Sequence, residues 1–182
     1  MSFDLTSDYF QLFDLPQSFE VDKTSLMQRY RELQQAVHPD RFVNSSDHER
    51  RLSLQYATFI NEALRTLKDP LARARYLLQI RGIEWDEEQS TLSDNQFLMQ
   101  QMELRESLED IGNQDDPERA VTALIDEVAS LFKDNEKQLI ELLASQQQED
   151  WMKAKTQVRK MQFLRKMQSE AEGVLADYED QL

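Results

Sequence analysis

His38, Asp40, Asp47 and His48 are the side chains of this sequence whose types and spacing could do chemistry, two imidazoles and two carboxylates in one short stretch. One possibility is a divalent metal held by these four groups and used to activate water, a metallo-hydrolase site. Such sites draw their ligands from several elements and have neighbours that orient each ligand, whereas all four groups here fall in a single loop. The other possibility is recognition. Pro39 fixes a turn between His38 and Asp40, which then present an imidazole and a carboxylate to a partner by hydrogen bond and ion pair, with no bond broken. A third reading leaves His38 and Asp40 with no task beyond ending a helix. The chain has no cysteine, so disulfides, thiolate zinc sites, cysteine-ligated iron–sulfur clusters and thiol nucleophiles are excluded.

The elements around the loop must position it. From Asp22, an N-cap residue, apolar side chains recur at Leu26, Tyr30, Leu33 and Val37, one face of a helix. That helix must stop near His38-Pro39, because proline disfavours helical geometry in the residue before it. After Asn44-Ser45-Ser46 a second run places Leu52, Tyr56, Phe59, Ile60, Ala63 and Leu67 on one face, so two helices of similar length enclose the loop and pack antiparallel. Tyr9-Phe10-Gln11-Leu12-Phe13, closed by Leu15-Pro16, predicts one or two helical turns packed on something larger. Asp69-Pro70 restarts the chain into a short helix ending at Gly82.

Three glycines and four prolines among 182 residues, with abundant Leu, Gln, Glu and Ala, favour long helices over a sheet, and the fold class is all-α. Charge divides the chain. Residues 1–82 carry eleven acidic and eleven basic side chains, so the whole net charge of −14 lies in residues 83–182. Two domains with different partners follow, spanning 1–83 and 94–182, with the polar, aperiodic stretch 84–93 as linker. An acidic domain is repelled by phosphate backbones, which argues against nucleic acid as principal ligand. No apolar run reaches the length a bilayer requires and no signal sequence opens the chain, so no membrane and a cytoplasmic location are expected. Three helical runs, about Asp94 to Ile111, Pro117 to Gln147 and Trp151 to Tyr178, predict a three-helix antiparallel bundle, with Val121, Leu124, Val128, Leu131 and Leu142 as a near-heptad core set.

His-Pro-Asp between two such helices, with Tyr30-Arg31-Glu32-Leu33 before it, Asp40-Arg41-Phe42 continuing it, and Ile60-Asn61-Glu62-Ala63 leading to Leu67-Lys68-Asp69-Pro70-Leu71-Ala72-Arg73-Ala74-Arg75-Tyr76 after it, resembles the J-domain of DnaJ-type co-chaperones. The resemblance implies a co-chaperone that is not itself an enzyme and has no cofactor. It also implies that His38, Pro39 and Asp40 meet the ATPase domain of a DnaK-class chaperone. Arg29 and Arg31 would meet an acidic surface of that chaperone, with Lys23 and Arg41 flanking. Docking of this kind raises ATP turnover by binding one conformation of the chaperone better than the other, a coupling of typically about 1–3 kcal/mol.

Phe97-Leu98-Met99-Gln100-Gln101-Met102-Glu103-Leu104-Arg105-Glu106 in a helical bundle behind a J-domain is similar to the HscB family, the co-chaperones of iron–sulfur cluster assembly, and extends the resemblance over nearly the whole chain. It implies an L-shaped adaptor and two partners, an HscA-like chaperone and an IscU-like scaffold protein. The residues support a client surface on their own. Phe97, Leu104, Leu108 and Ile111 fall on one stripe at about 100° per residue, whereas Leu98, Met99 and Met102 lie about 100°, 200° and 140° away from Phe97, among Glu103, Glu106 and Asp110. A helix with its core on one side needs no second apolar stripe, and Met edged by carboxylates suits an adaptable partner with a basic rim. The family's scaffold-binding residues fall on Leu98, Met99, Met102, Glu103, Glu106 and Asp110, the last in place of the usual Glu, with Phe163 on the third bundle helix. A J-protein of general folding duty, whose bundle binds unfolded chains, is the alternative. Residues 1–7 have no reading.

Overall fold

The computed structural model describes residues 7–42, 45–85 and 94–180. All regular elements among them are helices, in two compact units, Met1–Glu84 and Trp85–Leu182. Residues 86–93, most of the stretch read as the linker, lie outside the described residues, as do Val43 and Asn44 of the loop and Met1 to Thr6.

In the N-terminal unit every helix begins where a side chain can satisfy its unpaired N–H groups. α1 (Tyr9–Leu12) is capped by Asp8, and α2 (Lys23–Val37) by Asp22, which accepts from Thr24 N. α3 (Asp47–Lys68) starts on a capping box in which Ser46 and Glu49 each accept from the other's backbone N–H. α4 (Pro70–Ile80) has Asp69 as cap and Pro70 in its first turn. α2 stops at His38, whose ψ of 131° is the extended value that a following proline demands. A 3₁₀ turn, Pro39–Phe42, follows. Tyr30 and Gln34 both donate to Asn61 Oδ1, at 3.0 and 2.7 Å, while Val37 meets Ser53, so the hairpin is antiparallel.

The apolar faces of α1 to α4 close on one core holding Phe10, Phe13, Leu26, Val37, Ile60, Ala63, Leu67, Leu71, Leu77 and Leu78. Each large side chain there contributes about 1.5–3 kcal/mol by leaving water. Tyr9 stacks on Tyr76 with ring centroids 4.3 Å apart, and its N–H donates to the Tyr76 hydroxyl at 2.9 Å. Burial pushes both phenols above their ordinary pKa. Arg73 is buried yet served: its guanidinium donates to Leu67 O at 2.5 Å and lies 4.8 Å from the Phe19 ring centroid.

The C-terminal unit is α5 (Asn95–Glu109), a 3₁₀ turn (Ile111–Asn113), α6 (Pro117–Ala144) and α7 (Gln148–Glu179). The long pair α6 and α7 forms its body, and α5 lays Phe97, Leu104 and Ile111 against them. Two sequence expectations shift. The break between the last two helices falls at 145–147, because Gln148, Glu149 and Asp150 belong to the first turn of α7. Carboxylates are stabilised at a helix N-terminus, and Asp150 also accepts from Ser145 Oγ while Trp151 Nε1 donates to Ser145 O, a side-chain closure of the turn. The core face of α6 begins on the heptad set Val121, Leu124, Val128 but passes to Leu139 and Leu143, with Leu131 and Leu142 only half-buried. A straight helix drifts about 20° per heptad, so a 3.5-residue pattern loses the core over this length. At the crossover Asn135 takes an inner position and meets buried Gln157 of α7, whose amide donates to Asn135 Oδ1 at 2.5 Å.

Candidate functional site

The His38 loop is held from below and open above. Ser53, buried on α3, donates from Oγ to the Val37 carbonyl at 2.8 Å, fixing the last turn of α2 immediately before His38. Arg41 N–H donates back to His38 O at 3.0 Å, closing the 3₁₀ turn, and the Arg41 guanidinium reaches Gln35 O at 3.2 Å. On this base the His38 and Asp40 side chains stand 55% and 85% exposed, with Nδ1 and Oδ2 3.5 Å apart. Asp40 N–H donates to the same Nδ1 at 3.3 Å, which leaves Nε2 as the imidazole's available donor. A carboxylate and an imidazole presented together at the end of a fixed turn can bind a partner by hydrogen bond and ion pair.

The metal alternative does not assemble. Asp47 and His48 do not share the loop of His38 and Asp40 but begin α3, because the Ser46 cap starts the helix there; Asp47 pairs with Arg50, His38 faces Asp40, and no three His, Asp or Glu side chains among the described residues group as a metal site needs. The cations called from the resemblance differ among themselves. Lys23 and Arg31 project exposed from α2, with no ion pair among the described residues. Arg29 is half-buried and already engaged, its Nη1 2.8 Å from Glu32 Oε2 and Nη2 3.9 Å from Asp14 Oδ2. The Glu32 carboxyl is held below its ordinary range chiefly by that Arg29 hydrogen bond. Arg41 is spent partly on its own loop.

In the C-terminal unit α5 presents the second stripe outward. Met99 and Met102 are 63% and 62% exposed and Leu98 38%, while Phe97 and Leu104 on the opposite side are buried. Glu103 and Glu106 are exposed beside the methionines. Asp110 differs from them: its two carboxylate oxygens accept from Asn113 Nδ2 at 2.8 Å and Gln114 Nε2 at 2.7 Å, so it organises the end of α5. The short reach of an aspartate suits that local closure. Two grooves run along α5 toward α6. One of about 620 Å³ has Met99 and Glu103 on its wall, and one of about 530 Å³ is lined by Glu106, Asp110 and Glu127 over Ala120 and Ala123. Phe163 is half-buried rather than projecting. It meets Phe97 edge-on at 5.8 Å, and the Arg105 guanidinium lies 5.8 Å from its ring.

Several residues that fix this face have no signal in a one-dimensional reading. Lys160 of α7 donates to Asp94, the N-cap of α5, at 2.5 Å and lies 5.3 Å from the Phe97 ring, joining the start of α5 to α7. The Lys160 hydrogen bond holds the Asp94 carboxyl below its usual range. Trp85, inside the stretch read as linker, packs beneath the Arg159 guanidinium at 5.6 Å. Arg105 over Phe163 lies seven residues from Leu98, at a spacing that periodicity could have picked out.

Residues 93–172 match a family model described as the HSCB C-terminal oligomerisation domain. A co-chaperone protein HscB homolog of Shewanella halifaxensis is 47% identical to this chain over 163 residues, covering 90% of this chain and 94% of the relative. Among solved structures, chaperone HscB from Vibrio cholerae is 45% identical with a TM-score of 0.86, covering 96% of this chain and 99% of that one. The human co-chaperone protein HscB is 33% identical with a TM-score of 0.84, covering 94% and 84%. The match covers too much of the chain to be confined to either compact unit, and the chain belongs to the HscB family of co-chaperones.

Proposed function

We propose that the protein is a two-site adaptor of iron–sulfur cluster assembly. Its C-terminal unit binds an IscU-like scaffold protein through Leu98, Met99, Met102, Glu103 and Glu106 of α5, with Phe163 backing the face. Its N-terminal unit is a J-domain that docks His38, Pro39 and Asp40, with Lys23, Arg29, Arg31 and Arg41, on an HscA-like chaperone of the DnaK class and stimulates its ATPase. The observation that carries the reading is a pair of methionines more than 60% exposed on a helix whose other side is buried, in a unit separate from the one that bears the His38 loop.

The division of labour supplies the mechanism. Exposed thioethers repack against an apolar patch on the scaffold while the glutamates meet its basic rim and set orientation. Arg29 can reach the chaperone only by exchanging Glu32 for an acidic partner, so Lys23 and Arg31 carry the first electrostatic contact. The His38 turn then binds the chaperone conformation that hydrolyses ATP. Asp110, engaged within its own turn, acts by fixing where α5 ends.

The two activities separate under mutation. His38→Gln abolishes stimulation of the chaperone ATPase and leaves scaffold binding at the wild-type level, whereas Met99→Ala with Glu103→Ala does the reverse, as read by a coupled ATPase assay and calorimetry. Loss of both activities in either variant refutes the two-site reading. Displacement of the scaffold by a denatured protein would favour a co-chaperone of general folding duty.

A further inference from the structure

The chain has seven methionines and no cysteine, and the methionines among the described residues differ in access. Met161 and Met167 are sealed in the core of the bundle at 0% and 1% exposure, whereas Met99 and Met102 stand at 63% and 62% on the α5 face and Met152 at 49% at the start of α7. Oxidation of methionine follows access, and a sulfoxide turns a flexible apolar side chain into a polar, chiral one that cannot be desolvated cheaply. With no thiol to compete for oxidant, exposed thioethers are the most readily oxidised groups of this protein.

We propose that Met99 and Met102 are a reversible oxidation site that switches off client binding. The proposal rests on the α5 face being the client surface. The step is a two-electron oxidation by a peroxide: the terminal oxygen of H₂O₂ transfers to the thioether sulfur, the O–O bond breaks, water leaves, and the sulfur becomes a sulfoxide. Reversal takes two electrons from a dithiol through methionine sulfoxide reductases, one for each sulfoxide epimer, and releases the oxygen as water. The modified atoms sit outside the core, so the bundle keeps its fold while the face loses its apolar character. Lys160 with Asp94, and Phe97 with Phe163, hold α5 in place independently of these methionines.

The test treats the full chain with hydrogen peroxide, follows each methionine by peptide mass and measures affinity for an IscU-family scaffold by calorimetry. Met99, Met102 and Met152 gain oxygen first, Met161 and Met167 stay reduced, and thermal unfolding of the bundle is unchanged. Affinity for the scaffold falls by about tenfold or more and returns after treatment with both reductases. Peroxide-treated Met99→Leu with Met102→Leu keeps the affinity that the same variant shows untreated, while Met152→Leu stays as sensitive as wild type. Wild-type protein oxidised at both positions that binds within about twofold of the reduced form overturns the proposal, as does equal loss in the double-leucine variant. Scaffold binding that survives Met99→Ala with Glu103→Ala would instead remove the client face itself, a failure separate from peroxide-insensitive binding on an intact face.

Discussion

Ser53→Ala is the most informative single change to the N-terminal unit. The Ser53 hydroxyl is buried on α3 and donates to the Val37 carbonyl at 2.8 Å, the last carbonyl of α2 before the His38 turn. Asp40 and Arg41, three and four residues further on, spend their N–H groups on His38 Nδ1 and His38 O, and Pro39 has none to offer, so among the described residues of the turn no backbone donor replaces the hydroxyl. Removing it leaves a buried carbonyl unpaired, at a cost of about 1–3 kcal/mol. For a unit of this size each 1 kcal/mol lowers the midpoint by about 4–8 °C. The control is Thr58→Ala on the same helix, where an exposed hydroxyl donates to Leu54 O at 2.9 Å. The same bond in water costs within about 0.5 kcal/mol. Differential scanning calorimetry of both variants, with a chaperone ATPase assay, reads stability and loop position together. Ser53→Ala should lose stimulation well below its unfolding midpoint because α2 no longer ends in one place. A Ser53→Ala midpoint no lower than that of Thr58→Ala, or stimulation equal to wild type at 25 °C, refutes the claim that this bond positions the loop.

Further outcomes follow from the C-terminal unit. The Asp94 carboxyl is held below its unfolded pKa by Lys160, so the clamp's stability is fully present above about pH 4 and is lost as pH falls through the depressed value. Asp94→Asn should flatten the acid limb of a stability profile taken from pH 9 to pH 2 and leave the limb above pH 7 unchanged. Gln157→Leu leaves the Asn135 side chain and the Asn135 carbonyl without the amide that reaches them at 2.5 and 3.3 Å, and chemical denaturation should show a loss of about 1–3 kcal/mol. Glu103 and Glu106 are exposed, so raising salt from about 0.05 to 0.5 M should slow scaffold association in stopped flow far more than it speeds dissociation.

The sequence by itself determined the helices and the loop. Asp22 and Asp69 are caps that act on N–H groups two or three residues away, and Pro39 acts on its immediate neighbour, so the starts of α2 and α4 and the end of α2 were local facts. The exposed stripe was legible for the same reason: once Phe97 and Leu104 face the core, the geometry of one helix turns Met99 and Met102 outward. Periodicity failed where helices are long or where a side chain answers another element. The core of α6 drifted from its heptad to Leu139 and Leu143, and α7 began earlier than its apolar pattern because Ser145, Asp150 and Trp151 close the turn. Whether a charged or aromatic residue presents itself or spends itself at home was decided only in three dimensions. Arg29 pairs with Glu32 while Arg31 beside it stands clear, Asp110 folds back on Asn113 and Gln114 while Glu103 does not, and Phe163 lies beneath Arg105 against Phe97. Spacing along a chain fixes the direction in which a side chain leaves its own helix; only packing brings up the partner that meets it.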